Sequence, residues 1–256
     1  MKTRAWAITD VGLRRDHNED SYLSNEALGL YAVADGMGGH LGGERASRMA
    51  VEILEKEIEA LGETLTEGTA PGGPAESGGT PHPVAVALRE ATLKAAAAIH
   101  REAQLHPERT GMGTTLSAAL FHGDHVTICH VGDSRVYLLR EGTVRQLTED
   151  HSWIQEQIRA GLITPEDSIV SRFRNIITRS VGFEPVVEPD LATQEVKAGD
   201  CFLLCSDGLS NYLEEKEIGE VLAERPREEA GKAFVDLANE RGGDDNITCI
   251  VVEVEG

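Results

Sequence analysis

Between residues 114 and 147 the chain offers four short apolar runs, at 114–121, 125–131, 135–140 and 143–147. The turns between them are tight and carry glycine: His122-Gly123-Asp124, Gly132-Asp133-Ser134 and Glu141-Gly142. A parallel pair needs a crossover of a dozen or more residues, so strands this close together must pair antiparallel. That excludes a wound parallel sheet for the middle of the chain and makes sheet-on-sheet packing the natural way to bury it.

Helical spacing brackets this block. Ala46, Met49, Ala50, Ile53, Leu54, Ile58 and Leu61 form one apolar stripe over 43–61, and Val84, Ala87, Leu88, Ala91, Ala95, Ala98 and Ile99 form another over 84–105. Two more helices are predicted at 214–224 and 227–241, and further strands at 4–11, 28–34, 200–206 and 246–254. Strands in two groups with helices in pairs predict an α+β fold in one domain over residues 1–256. Residues 62–83 (GETLTEGTAPGGPAESGGTPHP) are rich in Gly, Pro, Ser and Thr, and are expected to be a flexible loop within that domain. Residues 150–182 are polar with broken helical periodicity and should lie outside the core.

Charge narrows the function. The 24 Lys and Arg against 44 Asp and Glu leave a formal net charge of −20, which disfavours nucleic acid and anionic membranes as partners. No apolar run approaches the ~20 residues of a membrane helix, and the first residues lack the apolar stretch of a secretory leader. Cys129, Cys201, Cys205 and Cys249 lie inside apolar runs with no close CxxC pair, as expected of reduced, buried thiols in a cytoplasmic protein.

Three carboxylates occupy matching places. Asp35 and Asp207 stand where apolar runs (LGLYAVA and DCFLLCS) halt at Asp-Gly, and Asp245 directly precedes the last strand. An Asp-Gly pair alone marks a turn. Three together, with Asp20 and Asp133 in similar settings, would repel one another strongly unless cations neutralised them. Hard oxygen donors without a His or thiolate pattern favour Mn²⁺ or Mg²⁺ over Zn²⁺. An acidic chain can then still handle phosphate, because bound metal reverses the local sign. Arg15, beside a run of carboxylates, either grips phosphate oxygens or makes a surface salt bridge.

Ordered motifs spanning about residues 6–254 carry a family resemblance. They are GLRRDHNED (12–20), VADGMGGH (33–40), GMGTT (111–115), HVGDSR (130–135), LTEDHS (147–152), NIITRS (175–180), LCSDGL (204–209) and GDDNIT (243–248). Together they resemble the bacterial type-2C, metal-dependent serine/threonine protein phosphatases. The resemblance implies a four-layer α-β-β-α sandwich, two antiparallel sheets flanked by helix pairs. It implies that Asp35 bridges two cations, that the Gly36 carbonyl binds one of them, and that Asp207 and Asp245 complete the other site. Asp20, or Glu19 beside it, would reach the second cation through water. Asp133 with Asp207 would form a weaker third site, Arg15 would bind phosphate, and residues 148–184 would form a flap beside the site. Glu19, His40 and Asn246 flank the ligand positions. Met37 stands where animal members carry a histidine proposed as general acid, and His40 is expected to be structural.

The activity implied is hydrolysis of phosphoserine and phosphothreonine on proteins by direct attack of a metal-activated water. The partners implied are phosphoprotein substrates and a cognate Ser/Thr kinase with its targets; the protein is expected to act as a monomer. Two alternatives remain at this point: a phosphatase dedicated to one phosphoprotein, and an inactive scaffold or sensor of the same fold. A nucleophilic-cysteine phosphatase does not fit, because Cys129 precedes His130, the wrong order for such a loop.

Overall fold

The computed structural model describes residues 1–39, 41–62, 82–164 and 176–256. Most of the loop predicted at 62–83, the middle of the flap predicted at 148–184, and His40 therefore lie outside the described residues.

One sheet runs in the order β1 (Lys2–Asp10), β11 (Ile247–Glu255), β10 (Cys201–Cys205), β7 (Arg135–Arg140), β8 (Thr143–Gln146). The other runs β2 (Asp20–Asn25), β3 (Leu30–Met37), β5 (Leu116–His122), β6 (His125–Val131), β9 (Asp190–Glu195), with the short β4 (Gly113–Thr114) pairing to the end of β3. All of these pairings are antiparallel. Helices α1 (Leu41–Leu61) and α2 (Pro83–Leu105) pack on each other and cover the second sheet. Helices α5 (Glu215–Glu224) and α6 (Arg227–Glu240) cover the first. The α+β sandwich has four layers, as the pattern of strands and helices predicts.

Strand periodicity assigns each residue to a layer. In β3, Leu30, Ala32 and Ala34 join the cluster under α1 and α2, while Tyr31 and Val33 face the opposite sheet. In β10, Cys201, Leu203 and Cys205 face α5 and α6, while Phe202 and Leu204 face inward. Between the sheets, Phe121 sits edge-on to Phe202 at 5.1 Å and to Tyr31 at 5.7 Å. Elsewhere that layer is mostly Val, Ile, Leu and Ala.

The same alternation carried on by one residue pair decides the chemistry. Asp35 follows Tyr31 and Val33 on the inter-sheet side of β3, and Ser206 follows Phe202 and Leu204 beyond β10. In the β2–β3 register, Asp20 lies opposite Asp35. The aliphatic interlayer therefore ends in polar and acidic groups at one edge of the sandwich.

Two strands escape the sequence pattern. The β2 strand (DSYLSN) keeps only Asp20 and Leu23 buried. The β9 strand (DLATQE) has no buried residue, as its edge position allows. The 150–182 stretch also contains a two-turn helix, α3 (Trp153–Arg159), capped by the Ser152 hydroxyl accepting from the Gln155 amide at 3.2 Å.

Candidate active site

The acidic end of the interlayer opens into a cleft of about 400 Å³. Arg15, Glu19, Asp35, Gly36, Asp133, Asp207, Asp245 and Asn246 all line it, with Met37, Thr115 and Ile177. Asp20 lies behind them, 8% exposed. Segments far apart in sequence meet here because both sheets end at this edge: β3 supplies Asp35, the β6–β7 turn Asp133, the start of α4 (Asp207–Ser210) Asp207, and the residues before β11 Asp245.

Glycine makes the convergence possible. A Cβ on Gly36 would stand 2.2 Å from the Gly43 carbonyl oxygen and 2.5 Å from that of Glu19. A Cβ on Gly208 would stand 2.0 Å from the Asn246 carbonyl oxygen. Either contact would push a ligand-bearing segment out of place. The Asp35 main chain is pinned from its other side: its amide donates to Thr115 Oγ1 at 2.9 Å, and its carbonyl accepts from the Thr115 amide and Thr114 Oγ1, each at 2.9 Å.

Asn246 holds the Arg15 loop. Its Nδ2 donates to the carbonyls of Val11 and His17, both at 2.9 Å, and its Oδ1 accepts from the Glu19 amide at 2.8 Å. Arg15, half-exposed, is the only basic residue lining the cleft among the described residues, and its Nη2 donates to Asp245 Oδ2 at 2.7 Å. Asp245 Oδ1 accepts from the Asn246 amide at 2.8 Å.

The other carboxylates are short of partners. Asp20 Oδ2 accepts from Ser206 Oγ at 2.9 Å and Asp207 Oδ2 from Asn211 Nδ2 at 3.0 Å. Asp20 Oδ1 and Asp207 Oδ1 are buried with no hydrogen-bond partner. Burial, then the charge of Asp20, pushes Asp35 well above the usual carboxylate range. Burial pushes Asp20 up to about 7 against the pull of hydrogen bonds from Thr248 and Ser206. Asp133 rises to about 8, from burial and then Asp207. Asp207 is raised by burial and then by Asp245. Arg135 follows Asp133 in sequence but is engaged elsewhere, with Nη2 2.6 Å from Asp150 Oδ2.

Such a set of groups asks for positive charge. Every donor is oxygen, two of the oxygens are orphaned, and burial disfavours the ionised form, which is how a site for hard dications looks before its charge is balanced. Among the described residues, no three His, Cys, Asp or Glu side chains close around one point, since Asp245 is drawn to Arg15 and Asp20 to Ser206. The residues fit Mn²⁺ or Mg²⁺ in kind, and the carboxylates would draw inward as repulsion is relieved.

A polar layer lies under the cleft, and of its members only Ser117 falls outside the sequence motifs. Thr115 Oγ1 lies 2.7 Å from Ser134 Oγ, Ser117 Oγ donates to the Ser134 carbonyl at 2.8 Å, and Ser117 Oγ lies 2.9 Å from His130 Nδ1. His130 Nε2 reaches the Glu149 carbonyl at 3.1 Å, and burial lowers this imidazole to about 4, so it is neutral. His151 Nδ1 accepts from the Gly132 amide at 3.1 Å, tying the base of the 148–184 segment to the Asp133 turn. The available signal was strand parity: Ser117 and His130 are polar at inward positions of apolar strands.

Comparison with known proteins places this geometry. The family described as "Protein phosphatase 2C" matches residues 14–248. The chain is 39% identical over 249 residues to the serine/threonine phosphatase Stp of Listeria welshimeri, covering 96% of this chain and 93% of that one. It is 38% identical over 250 residues to the serine/threonine protein phosphatase PstP of Mycobacterium tuberculosis, covering 97% of this chain and 44% of PstP. The crystal structure of the PstP catalytic domain in complex with two manganese ions superposes with a TM-score of 0.84 at 36% identity, covering 100% of this chain and 99% of that one.

The raised carboxylates make stability fall as pH rises. Groups protonated to about pH 7 or 8 when folded, but only to about 4 when unfolded, make folding take up protons, so stability present at pH 5 is lost towards pH 8. The metal-free protein should therefore melt lower at pH 8 than at pH 5. Cation at about 100 times its Kd adds ~2.7 kcal/mol, roughly 5–10 °C for a chain this size, and Mn²⁺ should raise the melting temperature more at pH 8. A melting temperature in EDTA that stays flat across this range would show that the carboxylates are not coupled to folding.

Proposed function

The chain belongs to the protein phosphatase 2C family and is a metal-dependent serine/threonine protein phosphatase, and from that premise we propose which of its residues do the work. The observation that carries the assignment is the pair of orphaned oxygens, Asp20 Oδ1 and Asp207 Oδ1, at the acidic end of the interlayer. Asp35, the Gly36 carbonyl, Asp207 and Asp245 would hold two divalent cations, Mn²⁺ or Mg²⁺, with Asp20 or Glu19 beside one of them. Bound there, the cations supply Lewis acidity and a water acidified towards neutrality for in-line displacement at phosphorus.

The remaining work falls to side chains of this chain. Arg15 stands at the mouth of the cleft on a loop clamped by Asn246, and the single hydrogen bond it makes among the described residues uses Nη2. A guanidinium so placed can turn its other donors to the phosphoryl oxygens and stabilise them as charge builds. The Asp245–Arg15 ion pair also keeps two groups oriented that later face different charges, Asp245 a cation and Arg15 an anion. Asp133 and Asp207 would form a weaker third cation site, in keeping with an Asp133 carboxyl raised first by burial and then by the charge of Asp207. Met37 lines the cleft without a titratable group, so the leaving oxygen takes its proton from water or from the neighbourhood of Asp133.

Its substrates are phosphoproteins. We place it in the cytoplasm as a single-domain monomer opposing a Ser/Thr kinase. In support of that placement, all four cysteines are free and buried, and among the described residues no helix is long and apolar enough to cross a membrane.

Three measurements test these roles. Wild-type protein with Mn²⁺ should hydrolyse p-nitrophenyl phosphate, and Asp35→Ala should reduce kcat about a thousandfold, the several kcal/mol expected of lost metal catalysis; an unimpaired Asp35→Ala enzyme would remove the metal centre from this cleft. Arg15→Ala should raise KM for phosphate esters roughly tenfold, the worth of one charge-assisted hydrogen bond, and an unchanged KM would leave Arg15 a surface ion pair. Asp133→Ala should bind fewer Mn²⁺ ions by calorimetry than wild type while retaining the tight pair. Equal stoichiometry would rule out the third site.

A further inference from the structure

A second cavity, of about 460 Å³, adjoins the cleft and shares Met37 and Ile177 with it. Its far wall is the segment from Arg179 to Glu188, which presents Phe183 at 59% and Val186 at 67% exposure. Large apolar side chains held out in water next to an active site mark a binding surface.

The backbone of this wall is anchored at both ends. Val181 pairs with Thr114 through two backbone hydrogen bonds, Thr114 amide to Val181 carbonyl at 3.0 Å and the reverse at 2.8 Å. Gly182 lies so close to α2 that a Cβ there would meet Ile99 Cγ2 at 2.2 Å. His100 Nδ1 lies 3.1 Å from the Phe183 carbonyl oxygen. Val181 and Val187 are both buried in the core under α1 and α2. The chain therefore leaves the core at Val181 and re-enters it at Val187, and in between it holds Phe183, Glu184, Pro185 and Val186 outward.

The charges point to one kind of occupant. Arg179 is paired with Asp190 at 2.9 Å and Glu188 with Arg89 at 2.7 Å. Among the described residues, Glu184 is the one charged side chain lining the groove without an ion-pair partner. We propose that this groove seats the substrate segment flanking the phosphorylated residue, with an apolar side chain against Phe183 and Val186 and a basic one facing Glu184. The assignment rests on the phosphatase reading and specifies the sequence class that the site selects. Continuity through Met37 and Ile177 argues for the substrate chain as occupant, because residues flanking a phosphoryl group in the cleft come directly against this adjoining wall.

The test uses the full chain with Mn²⁺, p-nitrophenyl phosphate, and phosphothreonine peptides in which Leu and Arg are moved singly through the positions either side of the phosphoresidue. Wild type should favour Leu at one offset by about tenfold in kcat/KM, the discrimination an apolar pocket supplies. The Phe183→Ala/Val186→Ser variant should lose that preference and keep its rate on p-nitrophenyl phosphate, which is too short to reach from the cleft along the groove. Glu184→Lys should turn a preference for flanking Arg into a penalty. Survival of the Leu preference in the double variant, or an equal loss on p-nitrophenyl phosphate, would overturn the proposal. So would a change in solution mass by light scattering without altered peptide selectivity, which would assign the groove to a second copy of the chain. Wild type active on p-nitrophenyl phosphate but on no phosphopeptide would sink the protein-phosphatase reading itself, an outcome distinct from any failure of the groove.

Discussion

Buried negative charge without a protein partner is the constraint around which this molecule is arranged. Asp20, Asp35, Asp133 and Asp207 share one edge of a sandwich whose interior is otherwise aliphatic, and burial raises each of them. A protein that needed these residues only for its own stability would do better with apolar side chains there, since a buried charge lacking a partner is costly. The fold nonetheless spends backbone detail on keeping them close. Gly36 meets Gly43, Gly208 meets Asn246, and Thr114 and Thr115 pin the Asp35 main chain. Those features make sense together only if something positive completes the site. The overall charge of −20 is the global counterpart of the same requirement.

That constraint also explains which parts of the structure could be read in the sequence. The β3 strand was legible because it is buried on both faces and so reads as a continuous apolar run that an aspartate interrupts. The same holds for β10 and Asp207. In the structure β3 runs on through Gly36 to Met37, because β4 pairs with its end, a pairing between residues some eighty positions apart that no local pattern carries. The β2 and β9 strands were not legible for the opposite reason. Each lies at an edge and keeps polar residues exposed, so neither alternation nor β-propensity separates it from loop. Asp20 was visible as a carboxylate in a motif, but its place opposite Asp35 required knowing that β2 exists.

Side-chain roles divide along the same line. Acidic residues beside glycine stand out because both departures from an apolar run occur together. Asn246 was legible as a motif residue flanking the ligand positions, but its role as a clamp, through three hydrogen bonds to residues more than two hundred positions away, was not. The Thr115, Ser117, His130 and Ser134 layer is similarly a product of the tertiary fold. Its members become neighbours only when β5 pairs with β6 and the β6–β7 turn crosses to the other sheet beside them.

The polar layer and the groove together suggest how chemistry and selection are kept apart. Asp20 and Asp35 are set by paired strands, and the Asp35 backbone is tied through Thr115, Ser134, Ser117 and His130 to the Glu149 carbonyl at the base of the 148–184 segment. The groove wall draws instead on α2 and β4, through Ile99, His100 and Thr114. Phe183 and Val186 themselves point to solvent, so substitutions there alter an exposed surface, although the wall's anchor Thr114 also donates to the Asp35 carbonyl. A hydrolytic centre that must stay fixed to hold cations can in this way sit beside a recognition surface that is free to vary. The two meet at Met37 and Ile177, which face both cavities. Those two residues are where a change made for selectivity would first be felt in catalysis.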